Sequence, residues 1–108
     1  MAKAPTSPNH AAREIISARL RQLRPLLEAR GVVHAAIFGS VARGDDISGS
    51  DVDILLEDRA ERRLDLFELM EIRELLEGQI GRHVDLGTRA SLRPGKHDHI
   101  IADLSEVF

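Results

Sequence analysis

Three short apolar runs along the chain are typical of β-strands, and two longer stretches carry apolar residues at helical spacing. We expect strands over Val32–Phe38, Asp51–Glu57 and Arg82–Leu86, because each run is short and is bounded by glycine or polar residues. Helices before and between these strands predict an α/β (α+β) fold, in which a small mixed sheet of about three strands is flanked by helices.

The first helix is expected to begin at Ser7-Pro8, to kink or restart at Pro25 and to end at Gly31. Its apolar face should pack on the sheet through Ala12, Ile16, Leu20, Leu23 and Leu27. Residues 1–9 are interpreted as a flexible tail, and residues 10–108 as a single domain.

A second helix should begin at Asp65 or a neighbour and end at Gly78 or Gly81. We expect its apolar stripe to comprise Leu66, Leu69, Met70, Leu76 and Ile80, with Met70 as a core residue. The acidic residues that should face water are Glu68, Glu71 and Glu77.

The connections and the C-terminal end complete the pattern. Residues 58–63 are charged and are interpreted as a surface linker. Pro94-Gly95 should break the chain before an amphipathic segment that packs through Ile100, Ile101 and Leu104. Val107-Phe108 is expected to close over the core.

The candidate chemistry begins with two aspartates that open the second predicted strand. Residues i and i+2 of a strand point to the same face, so Asp51 and Asp53 should present two carboxylates side by side, with Cα atoms roughly 6.6 Å apart. Two such charges beside buried apolar residues need compensation, and oxygen ligands favour a hard cation, Mg²⁺ or Mn²⁺. Asp85 alternates with apolar residues on the third strand and could point to the same face.

A Gly-Ser corner ends the first predicted strand. Gly39 allows the backbone to approach a ligand closely, and Ser40 could open a helical turn whose free N–H groups accept an anion. Phosphates at this corner and metal ions at the aspartates would together form one nucleoside triphosphate site.

Composition narrows the class of protein. The net charge is −3, with 15 basic and 18 acidic residues, and aromatic residues make up only 3% of the chain, so no nucleic-acid-binding face is expected. There is no cysteine, which excludes disulfides and thiolate zinc sites. No apolar run approaches the roughly 20 residues of a membrane span, and the first nine residues are unlike a signal peptide, so a soluble cytoplasmic protein is expected.

The segment FGSVARGDDISGSDVDILL resembles the signature of the DNA polymerase β-type nucleotidyltransferase superfamily, in which Gly-Ser precedes Asp-x-Asp. In so short a chain it looks like the minimal nucleotidyltransferase branch. The resemblance implies transfer of a nucleotide, AMP from ATP, to a hydroxyl group with release of pyrophosphate. It implies Asp51, Asp53 and Asp85 as ligands of two Mg²⁺ ions, Gly39 and Ser40 as phosphate-binding residues, and Arg43 as a basic residue that contacts phosphate or acceptor, or else merely pairs with Asp45 or Asp46.

Members similar to this chain act as antitoxins of type VII-like toxin–antitoxin modules. The resemblance therefore implies an all-helical HEPN-type toxin as partner, with AMP transferred to one of its tyrosines. Two alternatives remain open. One is a small-molecule transferase that modifies, for instance, an aminoglycoside hydroxyl, and the other is an antitoxin that sequesters its partner without catalysis.

Overall fold

The computed structural model describes residues 10–45, 50–92, 100 and 102–108. It contains four helices, α1 to α4, and four strands, β1 to β4, in the described ranges. In chain order these are α1 Ala11–Gln22, α2 Arg24–Ala29, β1 Val32–Phe38, α3 Gly39–Arg43, β2 Val52–Asp58, α4 Leu66–Ile80, β3 Val84–Thr88 and β4 Ser105–Glu106, with a short 3₁₀ turn at Arg89–Ser91.

The first predicted helix is divided in two by its proline, as expected. α1 ends before Leu23, and α2 restarts with Pro25 in its first turn, where a missing N–H costs no hydrogen bond. Gly31 follows α2 with a φ of 99°, which is the left-handed conformation that glycine adopts readily at a helix end. The predicted start at Ser7-Pro8 lies outside the described residues.

Helix α4 begins and ends at residues that the sequence indicates. The Asp65 side chain accepts the Glu68 N–H, and the Glu68 side chain accepts the Asp65 N–H, so the two form a capping box. Gly81, with a φ of 78°, ends the helix. The predicted candidate Gly78 lies inside it.

The buried face of α4 differs from the predicted stripe. Ile72 and Leu76 are the fully buried residues of the helix, whereas Leu66 and Met70 are exposed. The interpretation of Met70 as a core residue was therefore wrong. Apolar residues occupy more than half of the helix circumference, and the sheet covers only one side of it, so spacing alone could not identify the buried side.

The sheet has four strands in the order β3-β2-β1-β4, one more than the three predicted. β1 is antiparallel to both β2 and β4, and β2 is parallel to β3, so the sheet is mixed and the predicted α/β class is confirmed. The strand that the sequence did not reveal, β4, has only two residues and is defined by its pairing with Ala36 and Ile37.

The third strand starts at Val84, two residues later than predicted. Its first N–H is bonded to Oε2 of Glu77, 2.9 Å away, and this bond is the main reason that the pKa of Glu77 lies below its ordinary value. Glu77 was expected to face water, but it is half-buried and ties the last turn of α4 to the start of β3.

The core lies between the helices and one face of the sheet. Strand residues Ile37, Ile54 and Val84 are buried there against α1, α2 and α4. Val107 is buried and its N–H donates to the Ala35 carbonyl, so the C-terminal residues close against β1 as expected. Ile100 and Leu104 are half-buried, and Ile101 lies outside the described residues.

The predicted surface linker, residues 58–63, begins with a buried charge. Asp58 is the last residue of β2 and is only 5% exposed. Its carboxylate accepts hydrogen bonds from the Arg63 guanidinium at 2.6 Å and the Leu64 N–H at 2.8 Å. The linker is therefore fastened to the sheet at its first residue.

Among the described helices, none is long and apolar enough to cross a membrane.

Candidate active site

Strand pairing brings two of the three predicted aspartates, Asp53 and Asp85, to one corner of the sheet, and Asp51 lies close enough to affect the pKa of Asp53. Asp51 directly precedes β2, and Asp53 lies within it. β3 runs parallel to β2 in a register that makes Asp85 the partner of Asp53, so both side chains leave the same face. Asp85 and Asp51 are exposed, and Asp53 is half-buried. The structure thus brings together carboxylates from distant parts of the chain, since 34 positions separate Asp51 from Asp85.

The charges at this corner repel one another. Partial burial raises the pKa of Asp53 above its ordinary value, and the negative charges of Asp85 and Asp51 raise it further. A side-chain hydrogen bond with Asp85 acts in the same direction, while the positive charge of Arg43 opposes it. A carboxylate in this position gains stability from any additional cation.

Gly39 faces the Asp53 carboxylate across the first two strands. Phe38, the last residue of β1, is the antiparallel partner of Asp53, and so the chain turns into α3 directly beside that side chain. A Cβ at position 39 would overlap Oδ2 of Asp53 and lie 3.1 Å from its Cγ. Gly39 also has a φ of 73°, which disfavours any other residue. Sequence reasoning singled out this glycine, and the structure adds that its missing side chain is what makes room for Asp53.

Ser40 lies in the first turn of α3 and is half-buried. The other end of this short helix is held by α1 and the residue before it. Arg13 donates to the Ala42 carbonyl at 3.2 Å, and His10 Nε2 lies 3.2 Å from the Arg43 carbonyl oxygen. Both contacts satisfy carbonyls that a helix leaves free at its C-terminus, so they fix the orientation of the Gly39-Ser40 corner.

Arg43 lies close enough to the aspartates to affect the pKa of Asp53, but its own hydrogen bonds lead elsewhere. Its guanidinium donates to Asp103 at 2.9 Å and to Asp45 at 3.2 Å. The pairing with Asp45 was one of the two roles that the sequence left open. The pairing with Asp103 could not be foreseen, because 60 residues separate the two and no local pattern connects them.

Arg82 is a further residue of this corner whose position sequence reasoning did not identify. Its guanidinium donates to the Ser50 carbonyl at 2.7 Å and 3.1 Å and to the Ser50 hydroxyl at 2.9 Å. Ser50 immediately precedes Asp51, so Arg82 fixes the backbone that delivers the first aspartate.

The ligand chemistry of the corner fits a hard divalent cation, because all three candidate donors are carboxylate oxygens and Asp53 is held beside two like charges. In the part of the chain that the structure describes, no group of three or more His, Asp or Glu side chains is arranged to hold a metal ion. The corner is therefore a carboxylate pair, Asp53 and Asp85, with Asp51 nearby. The metal sites at Asp51, Asp53 and Asp85 and the phosphate roles of Gly39, Ser40 and Arg43 stay predictions.

A mixed sheet with carboxylates on adjacent parallel strands, next to a glycine corner, defines the class that the sequence indicated, a small nucleotidyltransferase. The chain belongs to the nucleotidyltransferase domain family, whose model matches residues 15–106. The enzyme class and the family predicted from the sequence are confirmed.

Two relatives make the comparison more specific. A protein adenylyltransferase named MntA, from Thermococcus cleftensis, is 38% identical over 81 residues, which cover 75% of this chain and 77% of the relative. A protein from Methanocaldococcus jannaschii, provisionally named a protein adenylyltransferase, is 36% identical over 88 residues, which cover 82% of this chain and 92% of the relative.

Solved structures share the fold. One described provisionally as a minimal nucleotidyltransferase has a TM-score of 0.71 at 24% identity and covers 94% of this chain and 98% of its own. A toxin–antitoxin complex with AMP-PNP has a TM-score of 0.72 at 19% identity, with 85% and 72% covered. A complex of a tri-AMPylated HEPN toxin with an MNT antitoxin from Shewanella oneidensis has a TM-score of 0.64 at 17% identity, with 86% and 71% covered. At these identities the similarity concerns the fold.

Proposed function

We propose that this protein is a Mg²⁺-dependent protein adenylyltransferase that transfers AMP from ATP to a tyrosine of an all-helical HEPN-type toxin in the cytoplasm, and so acts as its antitoxin. Two kinds of similarity support the proposal. Relatives at 36–38% identity carry the name protein adenylyltransferase. Proteins with the same fold occur in complexes with HEPN toxins, one of them tri-AMPylated.

The observation that carries the proposal is the fit between Gly39 and the carboxylate corner. Gly39 leaves space for the Asp53 side chain, and the same glycine is expected to let a phosphate approach the backbone. The phosphate site and the metal site would therefore be contiguous. Such contiguity is what a nucleoside triphosphate with its metal ions requires. The pairing of Asp53 with Asp85 adds a second carboxylate on the neighbouring strand.

Each residue then has a distinct role. Asp51 and Asp53 would hold Mg²⁺ jointly with the phosphates, and Asp85 would complete the site nearest the acceptor. When bound, Mg²⁺ lowers the pKa of an attacking hydroxyl and neutralises charge on the departing pyrophosphate. Gly39 and Ser40 would orient the triphosphate. Arg43 would contact phosphate or acceptor, exchanging one of its present carboxylate partners for the substrate.

The step itself is a single displacement at phosphorus. The tyrosine oxygen forms a bond to the α-phosphorus of ATP, the bond from that phosphorus to the pyrophosphate oxygen breaks, and pyrophosphate leaves with the electron pair. The tyrosine proton passes to Asp85, which lies on the exposed side of the corner and exchanges it with water. The chain contains no tyrosine, so AMP found on a tyrosine must be on another protein.

The test compares the wild type with two variants, Asp53→Asn and Glu61→Gln. Glu61 is an exposed carboxylate in the connection between β2 and α4, so its replacement serves as the control. Each purified protein is incubated with Mg²⁺ and α-labelled ATP in lysate of its own host, and proteins are separated from small molecules. We expect a labelled protein band with the wild type and the control, and none with Asp53→Asn.

Three other outcomes would contradict the proposal. Label confined to small molecules would indicate a small-molecule transferase instead. Label that persists with Asp53→Asn would remove the assigned site. Absence of label with any nucleoside triphosphate, together with protection of toxin-expressing cells by a variant carrying both Asp51→Asn and Asp53→Asn, would indicate sequestration without catalysis.

A further inference from the structure

The first two turns of α4 carry an apolar surface that the core does not use. Leu66 is 70% exposed, Phe67 is 75% exposed and Met70 is 44% exposed. Beside them lies a shallow groove of about 130 Å³ between α4 and β3, lined by Leu66, Leu69, Met70, Arg73 and Leu86. We call this surface the α4 groove. Exposed apolar residues are common singly, but three within five positions beside a groove mark an interaction surface.

Arg73 adds a hydrogen-bond donor that lacks an acceptor to the lining of the α4 groove. Its Nε is buried and has no hydrogen-bond partner among the described residues. The charge of Arg73 is felt by Glu77, one turn further along the helix, but no hydrogen bond joins the two. A buried donor without an acceptor is destabilising, but this atom is closed to a ligand. The Arg73 side chain as a whole is half-buried and lines the groove, so a ligand that supplies an acceptor to its guanidinium gains affinity. A carboxylate is the acceptor that matches a guanidinium best.

The spacing of the groove residues indicates the shape of the ligand. Leu66, Met70 and Arg73 stand at positions i, i+4 and i+7, so they form one ridge along the helix. The side chains of another helix interdigitate with such a ridge, and an amphipathic helix in a groove is a common way for proteins to bind one another.

The α4 groove and the active site share strand β3. Leu86 lines the groove, and Asp85 precedes it in β3, so the two side chains leave opposite faces of the same strand. β3 is at the edge of the described sheet, with no strand on its outer side. A protein bound in the groove would therefore border the strand that carries Asp85, the carboxylate assigned to the acceptor.

We propose that the α4 groove is the docking site for the protein acceptor, which inserts a helix with one bulky apolar side chain between Leu66 and Met70 and a carboxylate one turn away on Arg73. This inference rests on the proposed function for the identity of the acceptor. It adds the surface that holds the acceptor, and it makes specificity depend on residues that take no part in the chemistry.

Two substitutions test the groove, and one serves as the control. Met70→Lys places a charge in the apolar part. Arg73→Met keeps the length of the side chain but removes every donor. Leu26→Lys changes an apolar residue of α2 that is 52% exposed, similar to Met70, but lies elsewhere on the protein. Binding is measured by titration calorimetry with the purified protein that the wild type labels. If none is labelled, the probe is a purified HEPN-type toxin of the same host.

We expect Met70→Lys and Arg73→Met each to raise the Kd at least about tenfold and Leu26→Lys to leave it unchanged. Arg73→Met should also leave the melting temperature unchanged or raise it, because it removes an unsatisfied buried donor. This combination separates docking from a structural role of Arg73. An unchanged Kd for both groove variants would overturn the proposal, as would equal weakening by Leu26→Lys.

Two further measurements separate this inference from the proposed function. Asp53→Asn should bind the probe as tightly as the wild type, because it alters only the catalytic corner. If groove variants lose binding while the wild type labels no protein, the docking site stands and the proposed chemistry falls. If the isolated wild type is a dimer that Met70→Lys dissociates, the groove holds a second copy of this chain and the docking proposal falls.

Discussion

Replacement of Gly39 by alanine should abolish catalysis at a modest cost in stability. The added Cβ would overlap Oδ2 of Asp53, and to restore an ordinary contact the carboxylate must move by about 1 Å or more, away from its place beside Asp85. A misplacement of about 1 Å at a catalytic group costs roughly 100-fold in rate. We therefore expect kcat for Gly39→Ala to fall at least about 100-fold.

The cost in stability can be estimated separately. Alanine in the left-handed conformation costs about 1–2 kcal/mol. Rotation of the Asp53 side chain away from a favoured rotamer adds about 0.5–1.5 kcal/mol. Gly81→Ala is the matched control, because Gly81 has a φ of 78°, close to the 73° of Gly39, and nothing lies within 4 Å of its Cβ position. It should lose only the first of these two amounts.

The assay measures AMP transfer to the acceptor protein and, in parallel, unfolding of each variant in urea. Both variants should be less stable than the wild type, and only Gly39→Ala should be inactive. Transfer by Gly39→Ala within about threefold of the wild type would refute the argument that the missing side chain makes room for Asp53. Equal loss of activity in Gly81→Ala would show that general destabilisation, and not the overlap, is the cause.

Two further predictions concern residues that hold the site and the sheet in place. Burial alone would raise the pKa of Asp58, but hydrogen bonds from the Leu64 N–H and the Arg63 guanidinium outweigh it and lower the pKa below its ordinary value. The ionised form therefore stabilises the fold at any pH above the ordinary carboxyl pKa, and this contribution disappears as the pH falls through the lower value of the folded state. Asp58→Asn should lower the free energy of unfolding by about 1–3 kcal/mol at pH 7 and remove this part of the loss of stability in acid. Urea unfolding at several pH values would measure both effects, and an unchanged pH profile of stability would contradict the assignment. Arg82→Gln should release Ser50 and reduce kcat by about tenfold or more while the melting temperature changes little, and a loss confined to the KM for ATP would argue against a role in placing the aspartates.

Features of the chain that depend on neighbouring residues, such as the ends of helices, could be predicted from the sequence without the structure. The restart at Pro25, the capping residue Asp65 and the glycine that ends α4 were all predicted from their neighbours, because caps and breaks depend on a few adjacent residues. The candidate site could be found for the same reason. Gly39 and Ser40 are adjacent in the chain, and Asp51 and Asp53 are separated by one residue, so a short local motif is enough to indicate all four as candidates.

The tertiary structure decided what depends on contacts between distant residues. The parallel register of β2 and β3 sets Asp85 beside Asp53, and a two-residue strand near the C-terminus became visible only through its pairing with β1. It also decided which side of α4 is buried. Apolar spacing shows that a helix has residues to bury, but the neighbouring strands select the face, and here they left Met70 and the α4 groove exposed. Local propensity is encoded over a few residues, whereas register and burial are set by the whole packed chain. For that reason the sequence alone determined the family and the candidate catalytic residues. The surface offered to a partner depended on the tertiary structure.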